Sequence, residues 1–298
     1  MTSTRWTAAD IPDQTGRVVV VTGANSGLGA AAARELDLAG ARVVLAVRDT
    51  ASGAATAATM SGRTEVRRLD LADLSSISAF AEDWHGPLDV LINNAGVMGV
   101  PLRRTVDGFE MQIGTNHLGP FALTNLLLRH VTDRVVTLAS LAHRGARIDF
   151  DDLNSERRYD RWRAYGQSKL ASLLFTLELQ RRLDAAGSAV SAHAAHPGWA
   201  ATNLQGNSPH KIERVAMAVG NHLFAQRPAM GALPTLYAAT QSLPGNSYTG
   251  PGGIAELRGH PAPASRSGAA RDPQSAERLW ERSEELTGVT FGLMPVAA

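Results

Sequence analysis

The sequence has no cysteine, few aromatic residues and no long apolar run. Of its 298 residues, 5% are aromatic and none is cysteine. The missing thiol excludes disulfides, thiolate metal ligands and cysteine nucleophiles. No stretch approaches about 18 uncharged apolar residues, so no membrane span is predicted, and the polar N-terminal residues do not resemble a signal peptide. We therefore expect a cytoplasmic protein.

An excess of charge of one sign is also lacking. The net charge is +1, and the arginines near 144–163 alternate with acidic residues, so no nucleic-acid surface is predicted. Strand-like runs alternate with helical patterns without a linker, which predicts one α/β domain over 1–298 whose parallel sheet is covered on both faces. The strand-like runs are 18–22, 42–47, 65–70, 88–93, 134–140 and 189–195, and the helical patterns are 30–39, 74–84, 109–129 and 165–183.

The segment 203–270 has a looser pattern. Prolines interrupt it, and the apolar run 215–224 lies among them. Two interpretations are open: the segment shapes a substrate pocket, or it forms helices that cap the sheet.

Lysine is nearly absent, because 27 of the 29 basic residues are arginine. One lysine, Lys169, ends the string Tyr165-Gly166-Gln167-Ser168-Lys169. On a helix, Tyr165 and Lys169 lie one turn apart on the same face. A nearby cation lowers the pKa of a tyrosine from about 10, and lysine, unlike arginine, can give up a proton. The pair predicts a proton-transfer site; the alternative is a chance pairing on an exposed helix. Lys211 has no comparable setting and is predicted to face solvent.

A glycine turn follows the first strand, in the string Gly23-Ala24-Asn25-Ser26-Gly27-Leu28-Gly29. Gly23 permits the tight turn, Gly27 lets a pyrophosphate approach the backbone, and Gly29 lets the next helix pack closely. The N-terminus of that helix offers N–H groups to phosphates. The absence of a following Gly-Lys-Ser/Thr argues against a nucleoside-triphosphatase loop. The string predicts a dinucleotide site, and a purely structural turn is the alternative.

The residue after the second strand discriminates between dinucleotides. A carboxylate there would bind the 2′-hydroxyl of NAD, but this sequence has Arg48, which can neutralise the 2′-phosphate of NADP. Asp49 follows and would either pair with Arg48 or turn to solvent. The sequence therefore favours NADP(H), with NAD(H) as the alternative.

With the glycine turn and the Tyr165/Lys169 pair in place, the chain resembles the short-chain dehydrogenase/reductase family over most of its length. The resemblance implies a Rossmann fold with a doubly wound, mostly seven-stranded parallel sheet, and long helices that pair in a homodimer or homotetramer. Five further strings carry it: Leu69-Asp70-Leu71, Asn93-Asn94-Ala95-Gly96, Asn116, Leu138-Ala139-Ser140, and Pro197-Gly198-Trp199 with Thr202.

The resemblance also implies roles for these residues. Tyr165 would be the general acid/base, Ser140 would hold the carbonyl oxygen, and Lys169 would lower the pKa of Tyr165 and bind the nicotinamide ribose. Asn116 would hold a water near that lysine. The implied cofactor contacts are Gly23, Asn25, Ser26, Gly27, Leu28, Arg48, Asp70, Leu71, Asn94, Ala95, Gly96, Tyr165, Lys169, Pro197, Gly198 and Thr202.

Within the family the chain looks most similar to the retinol-dehydrogenase-like group. The strings Asn116-His117-Leu118-Gly119 and Ser140-Leu141-Ala142-His143 suggest this subgroup. We expect an NADP(H)-dependent oxidoreductase that transfers a hydride between the nicotinamide and a lipophilic alcohol or carbonyl compound. The competing hypothesis is a non-catalytic NADP(H)-binding regulator or scaffold, because a fold alone does not imply chemistry.

Histidines and two apolar residues near these motifs have weaker claims. His193 and His196 are the best metal candidates, but residues three apart on a strand face opposite sides, so no metal site is predicted. His117 and His143 flank catalytic positions, and a structural role is favoured over an acid role for each. Trp199 and Met98 would either line the substrate pocket or fill core, and the sequence leaves both alternatives open.

Overall fold

The computed structural model describes residues 5–61, 63–199 and 227–293, and eight strands there form one sheet. Their spatial order is β3-β2-β1-β4-β5-β6-β7-β8. The first seven pair in parallel and the eighth pairs antiparallel with the seventh. The predicted, mostly seven-stranded parallel sheet is thus confirmed, with a short antiparallel strand added. The strands are β1 (Val18–Thr22), β2 (Arg42–Val47), β3 (Thr64–Arg68), β4 (Leu88–Asn93), β5 (Val131–Leu138), β6 (Ser191–Ala195), β7 (Tyr248–Pro251) and β8 (Pro261–Pro263).

Eight α-helices accompany the sheet in the described ranges. They are α1 (Gly27–Leu38), α2 (Thr50–Ala57), α3 (Leu74–Glu82), α4 (Met111–Ile113), α5 (Gly119–Leu127), α6 (Arg161–Ala185), α7 (Pro228–Thr240) and α8 (Pro273–Thr287). The predicted single helix over 109–129 is divided, because the π-helical turn Gly114–Leu118 lies between α4 and α5. Helix α2 was not predicted: its sequence is small and polar, and the Asp49 side chain caps its N-terminus.

Hydrophobic cores cover both faces of the sheet. On one face, α3, α5, α6 and α8 meet, and the ring of Phe121 lies 4.8 Å from that of Trp280. On the other face, α1 packs against β1 and β2, and α7 packs against α1, β5, β6 and β7, through small residues such as Ala32 and Ala239. Because both faces are covered, the central strands are runs of valine and leucine without alternation.

The strand order reverses beside β1, which has β2 on one side and β4 on the other. In a doubly wound sheet, ligands bind outside the carboxyl ends of the strands at this switch point. The glycine turn after β1, the string after β4 and Ser140 after β5 all lie at this edge. The fold therefore gathers the predicted motifs at one place.

The segment 203–270 is described only from 227 onward; Lys211 and the run 215–224 lie outside the described residues. Helix α7 packs against α1 and the sheet, as the sheet-capping interpretation expects for that part. Strand β8 forms the sheet edge, and Pro261 and Pro263 flank its Ala262. Among the described helices, none combines the length and apolarity that a membrane crossing needs.

Candidate active site

A cavity of about 340 Å³ opens at the carboxyl ends of β1 to β5. Of the predicted cofactor contacts, all except Gly198 and Thr202 line it. Gly198 directly follows the lining residue Pro197, and Thr202 lies outside the described residues. The predicted contacts that line the cavity are Gly23, Asn25, Ser26, Gly27, Leu28, Arg48, Asp70, Leu71, Asn94, Ala95, Gly96, Tyr165, Lys169 and Pro197.

The glycine turn has three positions at which a residue with a Cβ would be strained or would clash, namely Gly23, Gly27 and Gly29. Gly23 and Gly27 have φ angles of 67° and 56°, in the left-handed region. At Gly29, a Cβ would lie 2.5 Å from the carbonyl oxygen of Gly23 and from the amide of Asn94. Helix α1 begins in this turn, so the unpaired N–H groups of its first turn lie at the cavity. The turn is thus shaped for an anionic group.

Thr22 is a positioning residue that the sequence analysis missed. Its buried hydroxyl accepts hydrogen bonds from the N–H groups of Asn94 (3.0 Å) and Ala95 (2.9 Å). The Asn94 amide in turn donates to the carbonyl oxygen of Thr22 over 2.8 Å. These bonds fix the string after β4 against the end of β1. The available signal was a hydroxyl residue that ends a run of four valines.

On the adenosine side, Arg48 is exposed and lines the cavity at the end of β2. Asp49 is exposed, in keeping with one of its two predicted alternatives, and its Oδ1 also accepts from the N–H groups of Ala51 (3.1 Å) and Ser52 (3.2 Å). Asp49 is the N-cap of α2, and its carboxylate is used by the helix. The Asn25 amide donates to the Ser52 hydroxyl over 3.2 Å, which ties the glycine turn to α2.

Tyr165 and Lys169 lie on the buried face of α6, as the sequence predicts. Their exposed fractions are 9% and 6%, so the alternative of a chance pairing on an exposed helix is wrong. Lys169 Nζ lies 6.0 Å from the centroid of the Tyr165 ring and donates to the carbonyl oxygen of Leu138 over 2.9 Å. Both side chains line the cavity.

Burial dominates the electrostatics of this pair. It raises the pKa of Tyr165, and a hydrogen bond with the Ser140 hydroxyl opposes that rise. This direction is opposite to the one predicted from the sequence, because the loss of hydration outweighs any stabilisation of the phenolate by Lys169. Burial lowers the pKa of Lys169 to about 8. The ammonium therefore titrates close to neutral pH.

Neither Asn116, which is buried, nor Ser140, which is half-buried at the end of β5, is among the residues that line the cavity. The Asn116 side chain accepts from the N–H of Val97 (2.7 Å) and donates to the Val97 carbonyl oxygen and the Ser168 hydroxyl, each over 2.9 Å. A Cβ on Gly96 would lie 2.9 Å from Asn116 Oδ1 and 3.5 Å from Lys169 Nζ. Glycine at 96 therefore lets the side chains of Asn116 and Lys169 both approach the backbone at this position.

The histidines have structural roles, as favoured from the sequence. His143 Nδ1 lies 2.6 Å from the carbonyl oxygen of Ser140, and buried His117 is bonded to the hydroxyl of Ser283. His193 is bonded to the Ser191 hydroxyl and His196 to Glu256. Within the described residues no cluster suited to a metal ion is found.

Of the two open apolar candidates, Trp199 is 40% exposed and thus not core, and Met98 is half-buried. Neither is among the residues that line the cavity.

A model of the short chain dehydrogenase family matches residues 17–213. The chain belongs to the short-chain dehydrogenase/reductase family. It is accordingly an oxidoreductase that acts on CH–OH or C=O groups of a small molecule. The resemblance stated from the sequence motifs is confirmed.

Relatives within the short-chain dehydrogenase/reductase family are similar over nearly the whole chain. Mouse retinol dehydrogenase 12 is 41% identical over 93% of this chain and 88% of its own. Human retinol dehydrogenase 13 is 42% identical over 92% of this chain and 85% of its own. These similarities confirm the retinol-dehydrogenase-like resemblance.

Solved structures from other organisms share the fold. An uncharacterized protein from Mycobacterium paratuberculosis is 54% identical, with a TM-score of 0.86 over 97% of this chain and 100% of its own. A protein from Beutenbergia cavernae, described as an NAD(P)-dependent gluconate 5-dehydrogenase with NADP bound at low occupancy, is 26% identical. Its TM-score is 0.59 over 76% of this chain and 90% of its own.

Proposed function

We propose that the protein is an NADP(H)-dependent oxidoreductase that interconverts lipophilic alcohols and carbonyl compounds, with Tyr165 as the general acid/base. The observation that carries the proposal is the buried Tyr165/Lys169 pair in the wall of the same cavity that the glycine turn lines. Proton-transfer groups and a phosphate-binding turn thus open onto one space.

The cavity fits a nicotinamide dinucleotide. At Gly23 and Gly29 the backbone has no room for a Cβ, and the turn leaves the first N–H groups of α1 for a pyrophosphate. Arg48 supports the choice of NADP(H), because a guanidinium forms charge-assisted hydrogen bonds with a 2′-phosphate. Asp49 does not oppose this choice, since its carboxylate caps α2. NADP in a related solved structure is consistent with the same preference.

When bound, the dinucleotide supplies or accepts the hydride. In reduction, Tyr165 donates its proton to the carbonyl oxygen as negative charge grows there. Its raised pKa means that the phenol carries its proton, and can donate it, at neutral pH. The Ser140 hydroxyl is hydrogen-bonded to the phenol without substrate, and when a carbonyl compound binds it turns its single proton to the same carbonyl oxygen. Lys169, with a pKa of about 8, can pass a proton towards Tyr165. Asn116 positions the loop around Val97 and Gly96 next to this lysine.

The substrate side supports an apolar ligand. Trp162 lies one turn before Tyr165 on α6, and its ring stands edge-on to the tyrosine ring at 6.5 Å. The Trp162 indole covers Gly99, where a Cβ would lie 2.9 Å from the indole. Even so, 42% of the Trp162 surface is exposed. A partly exposed aromatic wall beside the reacting phenol suits an apolar alcohol or carbonyl compound. The names of the retinol dehydrogenase relatives point to the same class.

The test is the variant Tyr165→Phe, assayed at 340 nm with NADPH and a series of aldehydes and ketones of increasing hydrophobicity. We expect turnover to fall by at least about 10²-fold, because the general acid is lost. NADPH binding, followed by protein fluorescence, should remain within about twofold, because the phenyl ring keeps the packing. The matched control is Tyr237→Phe on α7, where the ring packs against Trp6.

Wild-type activity in Tyr165→Phe would contradict the assigned acid. Tight NADPH binding by the wild type without turnover of any compound would instead support the non-catalytic regulator. A higher efficiency with NADH than with NADPH would contradict the cofactor assignment.

A further inference from the structure

The loop between β7 and β8 has an unusual backbone at two residues that are not glycine. Ala255 and Glu256 have φ angles of 52° and 57°. Residues with a Cβ rarely adopt this left-handed conformation, and two in succession persist only where surrounding contacts hold them.

The Glu256 carboxylate joins three parts of the chain. Its Oε2 lies 3.1 Å from His196 Nε2 and 2.8 Å from the Arg144 guanidinium, and its Oε1 accepts from the N–H of Ser265 over 3.0 Å. Its side chain is 17% exposed. Arg144 lies in the turn that follows Ser140, and His196 follows β6. One carboxylate thus connects the ends of β5 and β6 to the loop after β7.

His196 transmits this contact to the backbone of the next residues. Its imidazole is fully buried, and Nδ1 accepts a hydrogen bond from the N–H of Gly198 over 3.2 Å. An accepting Nδ1 requires the proton on Nε2, which then donates to Glu256. Burial lowers the pKa of His196 to about 4, so the ring is neutral at pH 7, as this arrangement requires.

The loop between β7 and β8 also holds the segment 197–199 through a backbone hydrogen bond. The N–H of Trp199 donates to the carbonyl oxygen of Leu257 over 2.8 Å. Gly198 has a φ angle of 66°, and a Cβ there would lie 2.4 Å from the same oxygen. Pro197, which directly precedes Gly198, lines the cavity together with Tyr165 and Lys169. The position of this wall therefore depends on the loop.

We propose that Glu256 is a positioning residue for the dinucleotide, which acts through His196 to hold Pro197 and Gly198 at the nicotinamide end of the cavity. The inference rests on the proposed function, in that the cavity takes a nicotinamide dinucleotide. It adds that affinity for the nicotinamide half depends on a carboxylate in the loop between β7 and β8.

The experiment compares Glu256→Ala with the wild type by calorimetry, using NADPH and 2′,5′-ADP, which is only the adenosine half of the cofactor. We expect the Kd and KM of NADPH to rise about tenfold or more, as for a lost charge-assisted hydrogen bond. The Kd of 2′,5′-ADP should stay within about twofold, because its partners near Arg48 lie at the other end of the cavity. Glu256→Gln keeps an oxygen that accepts from His196 Nε2 and should recover most of the NADPH affinity.

Two further variants complete the test. Glu281→Ala removes an exposed carboxylate on α8 and should change neither affinity. If Glu256→Ala fails to fold, Glu256→Asp takes its place, since it keeps the charge but shortens the reach to His196; we expect the same selective loss at about threefold.

Equal weakening of both ligands, or unchanged NADPH affinity, would overturn the positioning role. A failure of the proposed function looks different, because the wild type would then bind neither ligand.

Discussion

Lys169 Nζ donates a 2.9 Å hydrogen bond to the carbonyl oxygen of Leu138, two residues before Ser140. The bond connects the middle of α6 to the end of β5, so the proton-carrying side chain and the hydroxyl at the rim of the site keep a fixed relation. Because the amine is buried, its pKa of about 8 lies where a change of pH can be measured.

Lys169→Arg tests whether lysine is needed for its proton. We expect turnover to fall about 10²-fold, because arginine supplies the charge but is not deprotonated. Wild-type reduction should slow as the pH rises above about 8, where Lys169 loses its proton. That limb of the profile should be absent in the variant. Steady-state rates from pH 6 to 10 measure both effects.

The chemically matched control is Lys211→Arg, at the other lysine of the sequence. It should leave the rate and the pH profile unchanged. A Lys169→Arg enzyme that still shows the limb near pH 8 would assign the limb to another group.

Arg48→Ala tests the choice of dinucleotide. Loss of the guanidinium should lower kcat/KM for NADPH about 10- to 100-fold and change the value for NADH less than threefold, because only NADPH carries the 2′-phosphate. Arg129→Ala, an exposed arginine before β5 at the opposite edge of the sheet, is the control. Equal losses for the two cofactors would show that Arg48 does not read the phosphate.

Trp162→Ala tests the aromatic wall beside Tyr165. Removal of the indole should lower kcat/KM about tenfold or more for large apolar aldehydes, because the buried apolar contact is lost. Small aldehydes should be affected less than threefold, and the KM of NADPH should not change. Kinetics over an aldehyde series of increasing chain length measure the contrast. A uniform loss across the series would place Trp162 outside the substrate site.

His117→Gln tests a buried neutral histidine. Burial lowers the pKa of His117 to about 3 from an ordinary 6.5, so the unfolded chain binds its proton first. Stability is therefore fully present above pH 6.5 and is lost as the pH falls towards 3, by roughly 3 kcal/mol at pH 4. Denaturant unfolding at pH 7 and pH 4 should show a smaller loss for the variant. An equal loss in both proteins would assign the acid sensitivity to other groups, such as His193 and His196.

The sequence predicted the site better than it predicted the chain around it. Gly23, Gly27 and Gly29 have the positive φ angles or close contacts that only glycine accepts. Because these positions require glycine, their pattern in the sequence predicted the turn. The four-residue spacing of Tyr165 and Lys169 predicted that both side chains lie on the same face of a helix. Thr22 and Glu256 left no comparable signal, because their roles depend on contacts with residues far away in the chain.

Electrostatic directions were harder to predict. The sequence placed a cation beside Tyr165 and so suggested a lowered pKa, but burial, which depends on the whole fold, has the larger effect. The helix over 109–129 contains a π-helical turn at Gly114–Leu118 that hydrophobic periodicity does not reveal. The cytoplasmic location and the homodimer or homotetramer stay predictions.

The two borders of the sheet restrict how copies of this chain can associate. At one border, Pro261 and Pro263 have no N–H to donate, and at the other, β3 presents Glu65, Arg67 and Arg68. Neither border is a good template for another strand, so continuation of the sheet from one copy into the next is disfavoured. Self-association would then use the helical faces. The same two borders would make the concentrated chain resistant to fibrous aggregation, which needs strands to add at a sheet edge.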